Sequence, residues 1–369
     1  GIDGCRPDAL TFASTPNIDV LIANSTYSLD AMNGGITWSG PGWSNLLCGV
    51  REDKHGVTNN FFFGANYTDY PHFFNRIEEY DPSMVTASFT TWWPLDLIIL
   101  DLVDVKYALE YSLGGDAIVS DSLVGYLGSG DPDVIFMYFG DVDAAGHAYG
   151  FDPNVPEYIS ALETTDDHIG KLLSAIDNRS NIVNENWLII VSTDHGGVGL
   201  GHGGTSFVEE NIFVIVSGDA VPNQVIIRDS VFDPDSGFFV DDFSNTPRQV
   251  DVMPTILEFL CVPIQPSWGL EGTSLLTPCL VVGVEEPGVS DKLLMVYPNP
   301  GSGSFYVKMN LDGESMLTLT DGMGRGFPIN YNISDEGFEI QAGNLPNGVY
   351  TLLINGNERM LRKNIIVLR

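Results

Sequence analysis

Two short apolar runs constrain this chain more than any other feature. VIFMYF (Val134–Phe139) leads through Gly140 into DVDAAGH, which carries Asp143 and His147, and WLIIV (Trp187–Val191) leads into STDHGG, which carries Asp194 and His195. Short unbroken apolar runs bounded by turn residues read as strands buried on both faces, the kind found in parallel sheets covered by helices. In such sheets chemistry collects just beyond the carboxyl ends of the strands. Asp3 in GIDG, Ser39 in TWSGPGW and His202 in GHGG add a third acid, a hydroxyl and a third imidazole in similar glycine-punctuated turns.

Imidazole nitrogen with carboxylate oxygen is the donor set of Zn²⁺, and three acids with three histidines suit two such ions. Two divalent cations would bring four positive charges against the three carboxylates of Asp3, Asp143 and Asp194. The loaded site would therefore attract a phosphoryl or sulfuryl anion. Ser39 would complete one shell, where a metal lowers the pKa of a bound hydroxyl.

With these residues in place, the sequence from Gly1 to about Leu276 resembles the alkaline phosphatase superfamily, and within it the type I phosphodiesterase and nucleotide pyrophosphatase branch. The resemblance implies an α/β/α sandwich with a mostly parallel central sheet. It implies one zinc held by Asp3, Ser39, Asp194 and His195, and another held by the Asp and His of a D-x-x-x-H segment, here Asp143 and His147, with one later histidine. The chain has six histidines and none beyond position 202, so by elimination the last ligand is His202. SGPGWSNLLCGVREDKHGVTNN is similar to the family pattern in which a Ser or Thr two residues before proline is the nucleophile and a downstream Asn donates to a phosphate oxygen. That implies Ser39 as nucleophile and Asn60 as donor, with Thr37 the weaker rival.

Two departures matter. Nucleotide pyrophosphatases carry an aromatic residue directly after the nucleophile, and this chain has Gly40. The short step from His195 to His202 resembles sulfatase-like members instead, yet the fragment Ser39-Gly40-Pro41-Gly42-Trp43 has Trp43 where a sulfatase motif needs arginine. Arg6 and Arg51 are the cationic side chains nearest these motifs in sequence, and neither matches a phosphate-binding arginine of the family. The resemblance thus implies a zinc-activated serine hydrolase that passes through a phosphoserine and favours a small anionic phosphodiester. The alternatives are a sulfatase-like, phosphonate or phosphomonoester hydrolase, or an inactive surface binding protein.

Other tempting side chains read as structural. His55 is expected to fix a loop, and His168 to lie on a surface helix over Val155–Asp177, where Tyr158, Ile159, Leu162, Ile169 and Leu173 recur at helical spacing. His72 has no clustered partner in sequence. Trp92 and Trp93 are expected to close the core, Cys5 and Cys48 to be buried, and Cys261 with Cys279 to form a disulfide if the protein is exported. DPDSG (233–237) could bind Ca²⁺ weakly.

The net charge of −33 is unevenly placed: only 8 of the 49 acidic residues lie in 290–369, against 7 of the 16 basic ones. So acidic an amino-terminal part repels nucleic acid and anionic lipid, and no nucleic-acid binding is expected. No run of 18 apolar residues offers a membrane span. With Asp3 so close to the amino end, the sequence reads as an amino-truncated fragment that lacks a signal peptide and the apolar strand leading into Asp3.

The expected division is a hydrolase domain over 1–282, a linker at 283–290 (GVEEPGVS) and a small β-sandwich over 291–369, where alternating segments are parted by Gly and Asn turns. This tail, with its YPNP opening, NGVYTLLI segment and basic last strand, resembles the carboxyl-terminal sorting domain of type IX secretion in Bacteroidota. That resemblance implies the secretion machinery as a partner and a secreted or cell-surface location.

Overall fold

The computed structural model describes residues 1–100, 103–109, 114–219, 221–233, 238–242 and 245–276, and, in the tail, 295–298, 301–302, 304–308, 316–321, 326–327, 329–334, 337–341, 345–346, 348–355 and 360–367. The chain divides into two units, Gly1–Leu280 and Val281–Arg369. The linker reading at 283–290, Cys279, and all of the DPDSG segment but Asp233 lie outside the described residues.

In the first unit the order is α1 (Pro7–Phe12), α2 (Pro16–Ile22), β1 (Ser25–Met32), α3 (Ser39–Cys48), α4 (Glu52–His55), α5 (Phe73–Tyr80), β2 (Thr86–Thr90), β3 (Val105–Ala108), α6 (Gly115–Leu127), β4 (Val134–Met137), α7 (Asp141–Tyr149), α8 (Pro156–Asp177), β5 (Ile189–Ser192), α9 (Phe207–Glu210), β6 (Asn211–Ser217), β7 (Gln224–Val225), β8 (Asp229–Asp233), β9 (Phe238–Asp242) and α10 (Val252–Phe259). Prolines at the first helical positions of α1, α2 and α8 start those helices where a missing N–H costs nothing. Gly49 in the left-handed region ends α3.

β3, β2 and β4 form a parallel group, while β5, β6 and β1 pair antiparallel and β7 joins β1 in parallel. The two groups meet through Gly1–Asp3. Ile2 bridges Phe139 in parallel, its N–H donates to Ser192 O at 2.9 Å, and the Asp3 N–H donates to Phe139 O at 2.9 Å.

Strand alternation sends side chains to two apolar layers. Phe136, Tyr138, Val214 and Val216 join Trp43, Leu46, Val252 and Leu257 on one side, whereas Ile2, Phe139, Phe213 and Ile215 join Tyr158, Leu162 and Ile169 on the other. This is the expected α/β/α sandwich. The second unit holds two four-stranded antiparallel sheets, one of β10 (Met295–Tyr297), β11 (Ser304–Lys308), β14 (Asn330–Ser334) and β15 (Gly337–Gln341), the other of β12 (Met316–Asp321), β13 (Gly326–Phe327), β16 (Gly348–Asn355) and β17 (Met360–Val367). Phe305, Phe338, Leu352 and Ile365 are among its core residues.

Two expectations are corrected. His168 lies on α8 as expected but is buried, its ring stacked on Phe139 at 6.2 Å between centroids; α8 packs against α2, α6 and α7, so its covered stripe is wider than its apolar spacing suggests. Trp92 packs against the core, but Trp93 is about half exposed. Cys5 and Cys48 are buried, and among the described residues no helix is long and apolar enough to cross a membrane.

Candidate metal centre

The acids and histidines picked out in sequence converge where the strands of the first unit end. Asp3 follows the Ile2 bridge, Asp143 sits in the first turn of α7 beyond β4, and Asp194 and His195 follow β5. Ser39 opens α3, one residue after Trp38 at the N-cap. Glycine permits the close approach at two of these points. Gly4 has φ +64, with Asp143 Oδ1 2.7 Å from where a Cβ would stand, and a Cβ on Gly42 would meet Asp194 Cβ at 2.9 Å.

Asp3, Asp194 and His195 form one buried group of donors, while Asp143, His195 and His202 form a second that shares His195. In the first, Asp3 Oδ2 accepts from Tyr138 OH at 2.7 Å and Trp43 Nε1–H at 2.9 Å, and Asp194 Oδ1 accepts from the Gly4 N–H at 3.1 Å. The other oxygens, Asp3 Oδ1 and Asp194 Oδ2, are buried without a hydrogen-bond partner among the described residues. They lie 3.5 and 3.2 Å from His195 Nε2, and Ser39 Oγ is 3.3 Å from the same nitrogen.

Backbone carbonyls fix the histidines. Nδ1 of His195 donates to Gly196 O at 2.8 Å, that of His147 to Leu200 O at 2.9 Å and that of His202 to Thr37 O at 2.8 Å. A carbonyl only accepts, so in each ring Nδ1 carries a proton, which leaves Nε2 as the nitrogen able to offer a lone pair. His147 Nε2 then faces His202 Nε2 at 3.1 Å and Asp143 Oδ2 at 3.4 Å. Electron-rich atoms directed at one another in this way, two of them on orphaned buried carboxylates, fit divalent cations bound by nitrogen and oxygen.

The electrostatics agree. Burial pushes the Asp194 carboxyl well above the usual carboxylate range, with the charge of Asp3 adding to the effect. Burial raises Asp3 as well, against the opposing hydrogen bonds from Trp43 and Tyr138. Burial pushes His195 down to about 3 and His202 down to about 4, so both imidazoles are neutral at pH 7. A cation is the element that lets both carboxylates ionise side by side.

The remaining candidates separate clearly. Thr37 Oγ1 donates to Gly204 O at 2.7 Å and accepts the Gly203 N–H at 3.1 Å, which ties it to the His202 loop. Asn60 Oδ1 accepts the Gly40 N–H at 2.7 Å, fixing the amide over the first turn of α3. Arg6 is committed to Asp8 and the Phe151 carbonyl, and Arg51 to Glu271. Tyr138 reads as core within its apolar run, and Trp43 stood out in sequence only where a sulfatase motif needs arginine; nothing there marks either as a partner of Asp3. Sequence reasoning passed over Asn33, which donates to Asp194 O at 2.7 Å, and Gln249, which donates to the same carbonyl; nothing in their spacing marks them.

Comparison with known proteins gives the family and the fold. The family model for type I phosphodiesterase / nucleotide pyrophosphatase matches residues 1–104 and 103–228, and that for a secretion system C-terminal sorting domain matches 295–368. Bis(5'-adenosyl)-triphosphatase ENPP4 of Bos taurus is 27% identical over 218 residues, which span 53% of this chain and 46% of that protein. Ectonucleotide pyrophosphatase/phosphodiesterase family member 7 of Homo sapiens is 20% identical over 224 residues, with 53% and 46% covered. The chain thus spans about half the length of these relatives. Among solved structures, murine ectonucleotide pyrophosphatase / phosphodiesterase 5 superposes with a TM-score of 0.55 at 14% identity, covering 72% of this chain and 95% of that one. The phosphonate monoester hydrolase of Silicibacter pomeroyi gives 0.52 at 12% identity, with 99% and 87% covered. At such identities these two likenesses bear on the fold alone, an alkaline-phosphatase-like α/β fold.

Proposed function

The chain belongs to the type I phosphodiesterase / nucleotide pyrophosphatase family and ends in a secretion system C-terminal sorting domain, and from that starting point we propose that its first unit is a metal-dependent hydrolase of small anionic phosphodiesters with Ser39 as nucleophile. The observation that carries the reading is the position of Ser39 Oγ, 3.3 Å from His195 Nε2 beside two carboxylate oxygens that have no hydrogen-bond partner among the described residues. Asp3, Asp194, His195 and Ser39 would hold one divalent ion and Asp143, His147 and His202 a second, with His195 close enough to both to brace them. Zinc suits this donor set, and such ions, when bound, neutralise phosphoryl charge and lower the pKa of a coordinated hydroxyl.

The chain's own groups do the rest. Ser39 stands at the start of a ten-residue helix, whose dipole favours a negative phosphoryl group. Its oxygen attacks phosphorus, the ester oxygen opposite leaves, and water later cleaves the phosphoserine. Asn60, anchored through Oδ1, keeps its Nδ2 donor for a non-bridging oxygen. The engagement of Arg6 and Arg51 elsewhere favours a singly charged diester over a dianionic monoester, which calls for guanidinium. Gly40 and the short His195–His202 step favour, as a second reading, a phosphonate or sulfate ester hydrolase. The sorting domain supports export by type IX secretion machinery to the cell surface or beyond.

The test is hydrolysis of bis-p-nitrophenyl phosphate, p-nitrophenyl phosphate and p-nitrophenyl sulfate, with and without Zn²⁺, beside Ser39→Ala. Diester turnover that needs both metal and Ser39 is expected. Dominant sulfate turnover, with a Ser39 peptide about 2 Da light as formylglycine, would move the protein to the second reading. A folded, zinc-loaded protein inert on all three would point to a binding protein.

A further inference from the structure

The peptide bond between Asp194 and His195 joins two of the proposed ligands, so the plane it adopts decides where both side chains point. It lies just past β5, whose pairing with β6 stops at Ser192. Its carbonyl, on Asp194, accepts two side-chain amides instead, from Asn33 at 2.7 Å and from Gln249. The second amide is the end of a chain. Gln249 Oε1 accepts from Asn45 Nδ2 at 3.3 Å, Asn45 Oδ1 meets His55 Nε2 at 2.8 Å, and His55 Nδ1 accepts the Val57 N–H at 3.0 Å. The Val57 N–H can only donate and the Asp194 carbonyl can only accept, so each link between them has one allowed direction. His55 Nδ1 is unprotonated, its Nε2–H donates to Asn45, Asn45 donates to Gln249, and Gln249 donates to Asp194. All four residues are buried. Turning either amide over would set donor against donor and acceptor against acceptor in a buried setting.

We propose, building on the metal-dependent reading of this centre, that His55, Asn45 and Gln249 are positioning residues. Their hydrogen-bond chain of single polarity locks the helix that bears the nucleophile to the peptide that bears two metal ligands. Asn45 lies on the same helix as Ser39, α3, and Gln249 on the turn that leads into α10. Between Ser39 and Asn45, Gly42 sits directly on the locked peptide, since a Cβ there would stand 2.9 Å from Asp194 Cβ and 3.0 Å from Asp194 O. Packing at Gly42 sets the distance between helix and peptide, and the amide chain sets the rotation of the peptide plane. Each buried link polarises the next, so the hold depends on His55 although two side chains stand between it and Asp194.

The experiment compares the full chain with His55→Leu, Gln249→Met, the two together, His55→Gln and, as a control for lost core packing, Leu257→Ala. The first readout is amide exchange of the metal-free protein at Gly196, whose N–H donates to Glu209 O at 2.9 Å just past the locked peptide. The second is zinc affinity by competition with a chromophoric chelator. His55→Leu and Gln249→Met are each expected to speed exchange at Gly196 and to weaken zinc binding by about 10-fold. The double variant should go little further, because either change already breaks the chain. His55→Gln, which can offer an amide donor where Nε2–H stands, should recover most of the loss, and Leu257→Ala should lower Tm with both readouts near wild type. If His55→Leu does not fold, Asn45→Leu takes its place and cuts the chain one link nearer. Unchanged exchange at Gly196 in the single variants, losses that add in the double variant, or equal losses in Leu257→Ala would overturn the inference. A wild-type protein that binds no zinc would end the metal-dependent reading, while exchange at Gly196 would still decide whether the chain holds this peptide.

Discussion

Removing the hydroxyl of Tyr138 tests how Asp3 is held. Tyr138 is buried, its OH donates to Asp3 Oδ2 at 2.7 Å, and burial together with the charge of Asp3 keeps the phenol protonated so that it can only donate there. Tyr138→Phe keeps the ring and its edge contact with Trp43, so little packing is lost. A hydrogen bond to a charged group is worth about 1.5–3 kcal/mol, and a middle value of about 2 kcal/mol corresponds to a Tm fall of about 4–8 °C for a domain of this size. Urea unfolding of the zinc-loaded protein measures the loss. In an Asp3→Asn background the acceptor is neutral, so the penalty should shrink to about 1 kcal/mol. A loss below about 0.5 kcal/mol, or one unchanged by Asp3→Asn, would refute the claim that this hydroxyl stabilises an ionised carboxylate.

Two further expectations follow from the same geometry. Asn60→Ala should lower kcat on the diester by about 10²-fold with little change in KM if, as proposed, the amide acts where charge develops; unchanged kcat would remove Asn60 from the transition state. His55 is buried, accepts the Val57 N–H at Nδ1 and meets Asn45 Oδ1 through Nε2, and burial pushes its pKa down to about 4 from 6.5. The fold therefore favours its neutral form, and the stability this supplies is whole above pH 6.5 and lost as pH falls toward 4, by up to about 3 kcal/mol. His55→Gln should flatten that stretch of the stability curve, and identical pH dependence in both proteins would contradict the assignment.

Much of the centre was legible because its chemistry demands scarce residue types. Histidine occurs six times in the chain, and His147, His195 and His202 are the three that converge. The strands before Asp143 and Asp194 were legible because unbroken apolar runs leave few alternatives. Side chains with double lives were not. Tyr138 reads as core by composition and is core by burial, and only tertiary structure shows its hydroxyl meeting a residue 135 positions away. His168 misled for the opposite reason: helical periodicity finds one apolar stripe, and α8 packs against α1, α2, α6 and α7. Ser39 and Thr37, two positions apart, are alike in residue type, and only the structure shows the Thr37 hydroxyl bonded to Gly203 and Gly204.

The carbonyls that orient the three histidines belong to Thr37, Gly196 and Leu200, and that decides where the instructions for the centre are written. Leu200 is largely exposed, and its side chain contributes nothing to aiming His147. Alanine scanning across these positions would pass over one of the groups that aim the ligands, because the message is carried by the path of the main chain. Such a centre tolerates drift in its loop side chains and is vulnerable to changes of loop length. A single-residue deletion between His195 and His202 should therefore do more damage than any side-chain replacement at Leu200.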